Sequence, residues 1–372
     1  MKSPLPLIIM ASLFSSIGAF AQDNHPTLSL GSPAPDFSLP GVDGHTCTLK
    51  DFAGAKILAI VFTCNHCPTA QYYEERIKQL AADYRNKGVA VVAIMPNDPK
   101  ALRLDELGWT DLGDSFEEMK IRARDHQFNF PYLYDGETEA VARAYGPVAT
   151  PHAFVFDAAR KLRYVGAIDD SERPQNVKKQ YLRDALDALL AGQEPPVTHT
   201  KVPGCSVKWA GKEASAKAYL DKLAAEPVSV SAADAQALKA LRTNASTKLR
   251  LVTFWATWCA PCVAEFHEFV TINRMFRQRD FELITVSVNQ PIEQKEALEF
   301  LKAKQASCTN LVFATNDRDK LMDAFDPQWQ GAVPYTMLIA PGGQVLYQET
   351  GSVDTLALKR AILKALNERK AW

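Results

Sequence analysis

The sequence predicts an α/β protein of two similar domains in tandem, each a mixed central sheet flanked by helices. Three observations predict it. First, an apolar run from Leu251 to Trp255 leads into Cys259-Ala260-Pro261-Cys262. After it, Phe266, Phe269, Val270 and Phe276 fall on one helical face, so the cysteines sit in a strand-to-helix turn. Second, the order repeats upstream: Ile57 to Phe62, then Cys64-Asn65-His66-Cys67, then Tyr73, Ile77, Leu80, Ala81 and Tyr84 at helical spacing. Third, each copy is followed by a proline that opens an apolar strand, Pro151 before His152 to Phe156 and Pro334 before Tyr335 to Ile339. Proline cannot donate to a ladder, so a cis X–Pro bond at a tight approach is one explanation. At 372 residues, two domains each have room for a core. Cys64 and Cys259 are 195 positions apart, and the cysteine-to-proline spans are 87 and 75. The larger insertion therefore lies in the first copy, placed within Asn97 to Asp114.

Taken in order, residues 1–21 read as a secretory signal peptide. Lys2 precedes an apolar, serine-interrupted run, and Ala19-Phe20-Ala21 fits a small-x-small cleavage site. The expected destination is outside the cytosol, most simply a periplasm, where disulfides persist. Domain one is placed at 27–209. Gly31 to Phe52 reads as a hairpin beside its sheet. Val89 to Met95 is a second buried strand, and a serine cap starts a helix over Ser115 to His126. Strand and helix then alternate to Ala191, which implies parallel pairing plus an antiparallel edge. A linker at 210–228 contains a charged, helix-like piece, Glu213 to Ala225. Domain two, 229–372, follows the same alternation and ends in a Gly342-Gly343 hairpin and a helix from Thr355 to Arg369.

The cysteine spacing carries the chemistry. At a helix N-terminus, unpaired N–H groups and the dipole favour thiolate over thiol, and thiolates perform disulfide exchange. Cys64 and Cys259 are expected to attack, and Cys67 and Cys262 to resolve the mixed disulfide. A partly protonated His66 beside the Cys64 thiolate would make that disulfide the more oxidising of the two. Pro261 stiffens the second turn.

The strand, Cys-x-x-Cys, helix and later strand-opening proline resemble the thioredoxin fold. The resemblance implies two such domains in tandem, with Pro151 and Pro334 cis and packed on the cysteines. Trp255-Ala256-Thr257-Trp258-Cys259-Ala260-Pro261-Cys262 is similar to the TlpA/ResA-type thiol reductases, which makes Trp258 a supporting residue and domain two a reductant. The first copy resembles the redoxin (AhpC/TSA-like) branch in its Asn65-His66-Cys67-Pro68 motif, in Asn129 to Asp135 and in Gly204 to Trp209. By resemblance the partners are protein thiols and disulfides and an upstream redox protein. No metal or organic cofactor is implied, and a membrane enters only as the site of an electron donor.

Other readings meet obstacles. The net charge of −1, with no basic block and no Gly-rich phosphate loop, excludes nucleic acid and nucleotide partners. A peroxidase would carry Pro-x-x-x-Thr-x-x-Cys; counting back from Cys64 gives Val61 and Ile57, and from Cys67 gives Cys64 and Ile60. A Cu(I) or zinc site at Cys64/Cys67 with His66 or His152, or a non-catalytic adapter, is the remaining alternative. Thioredoxins carry a buried acid six residues before the first cysteine; here that position is Thr253, which leaves Glu265 or water for proton transfer. Of seven cysteines, Cys47, Cys205 and Cys308 remain. Cys205, read as lying in a flexible segment between domains, is a candidate relay between the two sites.

Overall fold

In the computed structural model, which describes residues 25–368, two mixed sheets form two separate cores. Helices cover both faces of each. The signal-peptide reading lies outside the described residues.

The N-terminal unit begins with a small hairpin, β1 (Ser38–Pro40) and β2 (Thr46–Thr48). It continues with β3 (Ile57–Phe62), α1 (Pro68–Tyr84), β4 (Val89–Met95), α2 (Phe116–Asp125), β5 (Tyr132–Tyr134) and α3 (Ala140–Tyr145). It closes with β6 (Ala149–Thr150), β7 (His152–Phe156), β8 (Leu162–Gly166), α4 (Tyr181–Leu190) and β9 (Cys205–Ser206). The main sheet runs β5-β4-β3-β7-β8. β3, β4 and β5 are parallel, and β7 and β8 antiparallel. β3 is buried along its whole length, as an apolar run covered on both faces should be. Ile57, Ala59 and Val61 face α1 and α4, while Leu58, Ile60 and Phe62 face the opposite core.

α5 (Glu213–Ala224) leads to the C-terminal unit. There β10 (Ser231–Ala233), α6 (Ala235–Thr243), β11 (Leu249–Trp255), α7 (Ala260–Phe276), β12 (Phe281–Ser287) and α8 (Gln294–Ala303) follow one another. β13 (Thr309–Phe313), α9 (Arg318–Phe325), β14 (Tyr335–Ile339), β15 (Val345–Thr350) and α10 (Thr355–Glu368) complete it. Its sheet order is β10-β13-β12-β11-β14-β15. The expected mixed sheets are therefore present in both halves.

One sequence reading changes. The segment around Cys205 is not a free linker: β9 pairs antiparallel with β6, Cys205 opposite Thr150.

The insertion at 97–114 folds as two short 3-10 turns and joins the halves. Leu107 packs on the apolar cluster around Phe269, Met275 and Leu358. Arg279 donates to Gly108 O at 2.9 Å, and Arg360 reaches both Asp111 (2.8 Å) and Asp125 (2.7 Å). Beneath it, Arg122 forms a bidentate pair with Glu74, at 2.6 and 3.0 Å, with both side chains buried. Removing one partner of a buried pair leaves an uncompensated charge, which costs about 3–5 kcal/mol. Glu74→Ala should therefore lower the unfolding free energy of the N-terminal unit by roughly 3 kcal/mol in urea denaturation. A loss under about 1 kcal/mol would show that the pair is solvated.

Candidate functional site

The C-terminal site is the simpler. Cys259 is the N-cap of α7, Pro261 lies in its first turn, and Cys259 Sγ accepts from Cys262 N at 3.3 Å. Cys259 and Cys262 form a disulfide with Cα atoms 5.3 Å apart. Cys259 Sγ lies 3.6 Å from the carbonyl oxygen of Val333, whose bond to Pro334 is cis. Trp258 projects into solvent, 56 % exposed, and Arg318 lies over its ring. Thr253, where a buried acid was sought, shares a hydrogen bond with Thr336 at 3.1 Å. Glu265 instead accepts from Val353 N and lies half-buried, with its carboxyl raised by burial.

At the N-terminal site, strand register gives a different correspondence from motif spacing. Tyr335, the residue after cis-Pro334, pairs with Phe254; His152, after cis-Pro151, pairs with Phe62. Five positions on from those partners stand Cys259 and Cys67. Cys67 is the N-cap of α1, with Pro68 behind it. Cys67 Sγ lies 3.4 Å from Thr150 O, much as Cys259 Sγ lies 3.6 Å from Val333 O. The counterpart of Cys259 is thus Cys67, and Cys64 sits one turn earlier, outside the helix. The expectation of a thiolate at Cys64 is corrected accordingly.

The electrostatics agree with that placement. The Cys205 thiol and then the Cys64 thiol hydrogen-bond to Cys67, and the N–H groups of Ala70 and Cys205 add to them. Together they outweigh burial and hold Cys67 far below the ordinary thiol range. Burial, its hydrogen bond to Cys67 and the Asp114 charge push Cys64 well above that range. Cys64 Sγ also contacts Thr150 Oγ1 at 3.0 Å.

His66 does not act on Cys64 as expected. Its Nδ1 meets Asp114 Oδ2 at 2.5 Å. Burial pulls the imidazole down, but the Asp114 charge and hydrogen bond outweigh it and hold His66 above its ordinary value. Asp114 is pushed up by burial and brought below the usual carboxylate range by His66 and Asn97. Asp114 also accepts from the N–H groups of Asn65 and His66, at 3.0 Å each, and from Asn97 Nδ2 at 2.7 Å. This carboxylate, 47 to 50 positions from the cysteines it serves, fixes the turn that carries them; sequence reasoning placed the 97–114 loop nearby but missed Asp114. Cys64, His66 and Asp114 are close enough to suggest a metal, yet both Asp114 oxygens are already committed twice each. His152 is buried, held neutral by burial and by His199, and accepts from Val148 N.

Cys205 lies against Cys67, as described, while Cys47 lies in β2 of the small hairpin and Cys308 immediately precedes β13. Cys205 is therefore part of the N-terminal site rather than a free carrier between domains.

A strand, a cysteine-capped helix and a returning strand opened by a cis proline define a thioredoxin-like oxidoreductase, here present twice. The chain belongs to the AhpC/TSA family, whose pattern matches residues 30–165 and 225–348. It is similar to the thiol-disulfide oxidoreductase ResA of Bacillus subtilis (strain 168), 32% identical over 103 residues, 27% of this chain and 52% of ResA. The match thus spans about half of that relative. It is also similar to alkyl hydroperoxide reductase E of Mycobacterium tuberculosis (strain ATCC 25618 / H37Rv), 28% identical over 173 residues, 44% of this chain and 99% of the relative. Among solved structures, a hypothetical protein from Sinorhizobium meliloti 1021 is 36% identical, covers 50% of this chain and 97% of its own, and has a TM-score of 0.44.

The lowered Cys67 value gives a pH prediction. A thiol whose pKa is depressed on folding stays ionised well below the roughly 8.5 of a free cysteine. In the fully reduced chain, the 240 nm absorbance lost on Cys67→Ser should persist at pH 5. If that difference instead titrates away with a midpoint near 8.5, Cys67 is not the ionised sulfur.

Proposed function

We propose that the chain is an exported thiol–disulfide oxidoreductase that exchanges disulfides with protein partners through two sites. Cys259 attacks or receives the disulfide in the C-terminal domain and Cys262 resolves it. In the N-terminal domain Cys67 attacks and Cys64 resolves. The observation that carries this reading is the Cys259–Cys262 disulfide at the start of α7, beside the Val333 carbonyl. A partner segment laid along the edge at Val333 would pair with that backbone as a strand and bring its sulfur to Cys259. The C-terminal domain acts as the reductant, and an upstream redox protein supplies its electrons. The export signal is placed at 1–21, the N-terminal domain at 27–209, the linker at 210–228 and the C-terminal domain at 229–372. No cofactor enters the exchange, since sulfur alone carries the two electrons.

A second reading, peroxide reduction at Cys67, is favoured by one observation: Cys205 N donates to its sulfur from 3.4 Å, among the donors that lower its pKa. The same donors equally stabilise an exchange thiolate. Peroxide consumption well above background and lost on Cys67→Ser would select this reading; consumption at the variant's rate excludes it.

Insulin reduction driven by dithiothreitol tests the main proposal. Cys259→Ser in the full chain should bring the rate down to that of the N-terminal site alone, and the double change with Cys67→Ser should abolish it. An undiminished rate in the double variant would refute the proposal.

A further inference from the structure

We propose that Cys205 is the third sulfur of the N-terminal site and the one through which that site meets a partner thiol. The inference rests on the proposed disulfide exchange at Cys67 and adds the route by which the buried pair is reached. Cys67 is 0 % exposed and Cys64 2 %, against 5 % for Cys259. Cys67 thus lies beneath its neighbours, Cys205 among them. Cys205 is partly exposed, and its backbone N–H points at Cys67 Sγ from 3.4 Å; its thiol is close enough to lower the Cys67 thiol.

The placement of Cys205 is built rather than incidental. β9 pairs with β6 immediately before cis-Pro151. Gly204 has φ +126°, and a Cβ there would stand 2.0 Å from Thr150 O, so only glycine allows the approach. On the other side Lys208 N donates to Asn97 Oδ1, and Asp98 N to Lys208 O. Asn97 is also a donor to Asp114, so the same network positions the 64–67 turn and the 204–208 segment.

The exchange balances without an added oxidant. Starting from a Cys64–Cys67 disulfide, the Cys205 sulfur attacks Cys67 Sγ. The Cys67–Cys205 bond forms as the Cys64–Cys67 bond breaks, and the proton lost by Cys205 passes to the departing Cys64 sulfur. A partner thiolate then attacks the exposed Cys205 Sγ and expels Cys67 as a thiolate. A sulfur of low pKa leaves faster, and Cys67 is the lowest here. The partner's second thiolate attacks its own sulfur in the mixed disulfide and releases Cys205, which takes up a proton. The partner is oxidised to a disulfide, the Cys64–Cys67 disulfide is reduced by two electrons and Cys205 returns to its thiol; the reverse sequence reduces a partner disulfide.

The test uses the full-length chain. Cys64→Ser, reduced and then equilibrated with oxidised glutathione, should yield Cys67–Cys205 linked peptides on non-reducing digestion and mass analysis. Introducing Gly204→Ala beside it should reduce their yield. Cys205 fully alkylatable with Cys67 carrying only glutathione would overturn the proposal. With Cys64 retained, Cys205→Ser in a Cys259→Ser, Cys262→Ser background should keep the Cys64–Cys67 disulfide yet slow oxidation of a dithiol peptide about tenfold or more. An unchanged rate would equally overturn it. Failure of the underlying exchange reading looks different: no disulfide involving Cys67 forms in any variant.

Discussion

An ionised sulfur removed from water needs donors aimed at it, and the start of a helix supplies them. Both halves of this chain are arranged around that requirement. In each, an apolar central strand delivers the chain to a turn, a cysteine caps the first long helix, and a proline follows the residue that faces the sulfur. The charge of the sulfur is favoured by N–H groups that no helix can satisfy internally. The packed sheet below holds those groups in place, which is why both capping cysteines adjoin fully buried strands.

The two sites use this constraint differently. In the C-terminal half the partner sulfur lies in the next turn of the helix, at Cys262, and the bond is formed. In the N-terminal half the neighbouring sulfurs come from before the helix and from β9, so three thiols converge where the other half has two. A buried carboxylate is correspondingly needed to organise the longer turn. Asp114 accepts from Asn65 N, His66 N and Asn97 Nδ2 and meets the His66 imidazole, whose pKa it raises. His66 contributes stability while it stays protonated, below its raised pKa, and loses it as pH rises through that value. Asp114 contributes while ionised and loses it as pH falls through its own lowered value. The turn is therefore most secure between the two, with the charge pair intact.

Much of the fold was legible because it follows from local patterns. Apolar runs such as Ile57 to Phe62 can only be covered strands, and the helical faces after each Cys-x-x-Cys have the right period. Which N-terminal cysteine caps the helix was not legible. Identical Cys-x-x-Cys spacing suggested that Cys64 matches Cys259, but which cysteine caps the helix depends on how β3 registers with β7, a pairing between segments about ninety positions apart. His66 looked free to act on its neighbours; Asp114 claims it from 48 positions away. The stretch at Cys205, with Gly204 before it, read as a flexible segment. The same glycine serves a close backbone approach, and only the short alternation of Cys205 to Val207 hinted at a strand.

The central claim is that both sulfur clusters are reversible two-electron couples, the N-terminal one more oxidising because its reduced form is stabilised at Cys67. Equilibrating the intact chain in graded dithiothreitol or glutathione buffers, trapping it with acid and counting modified cysteines by mass tests this most directly. The account predicts two separate steps of two cysteines each, with Cys67 in the step at higher potential and Cys259/Cys262 in the lower. A single step confined to Cys259 and Cys262, with Cys64, Cys67 and Cys205 reduced throughout, would contradict it.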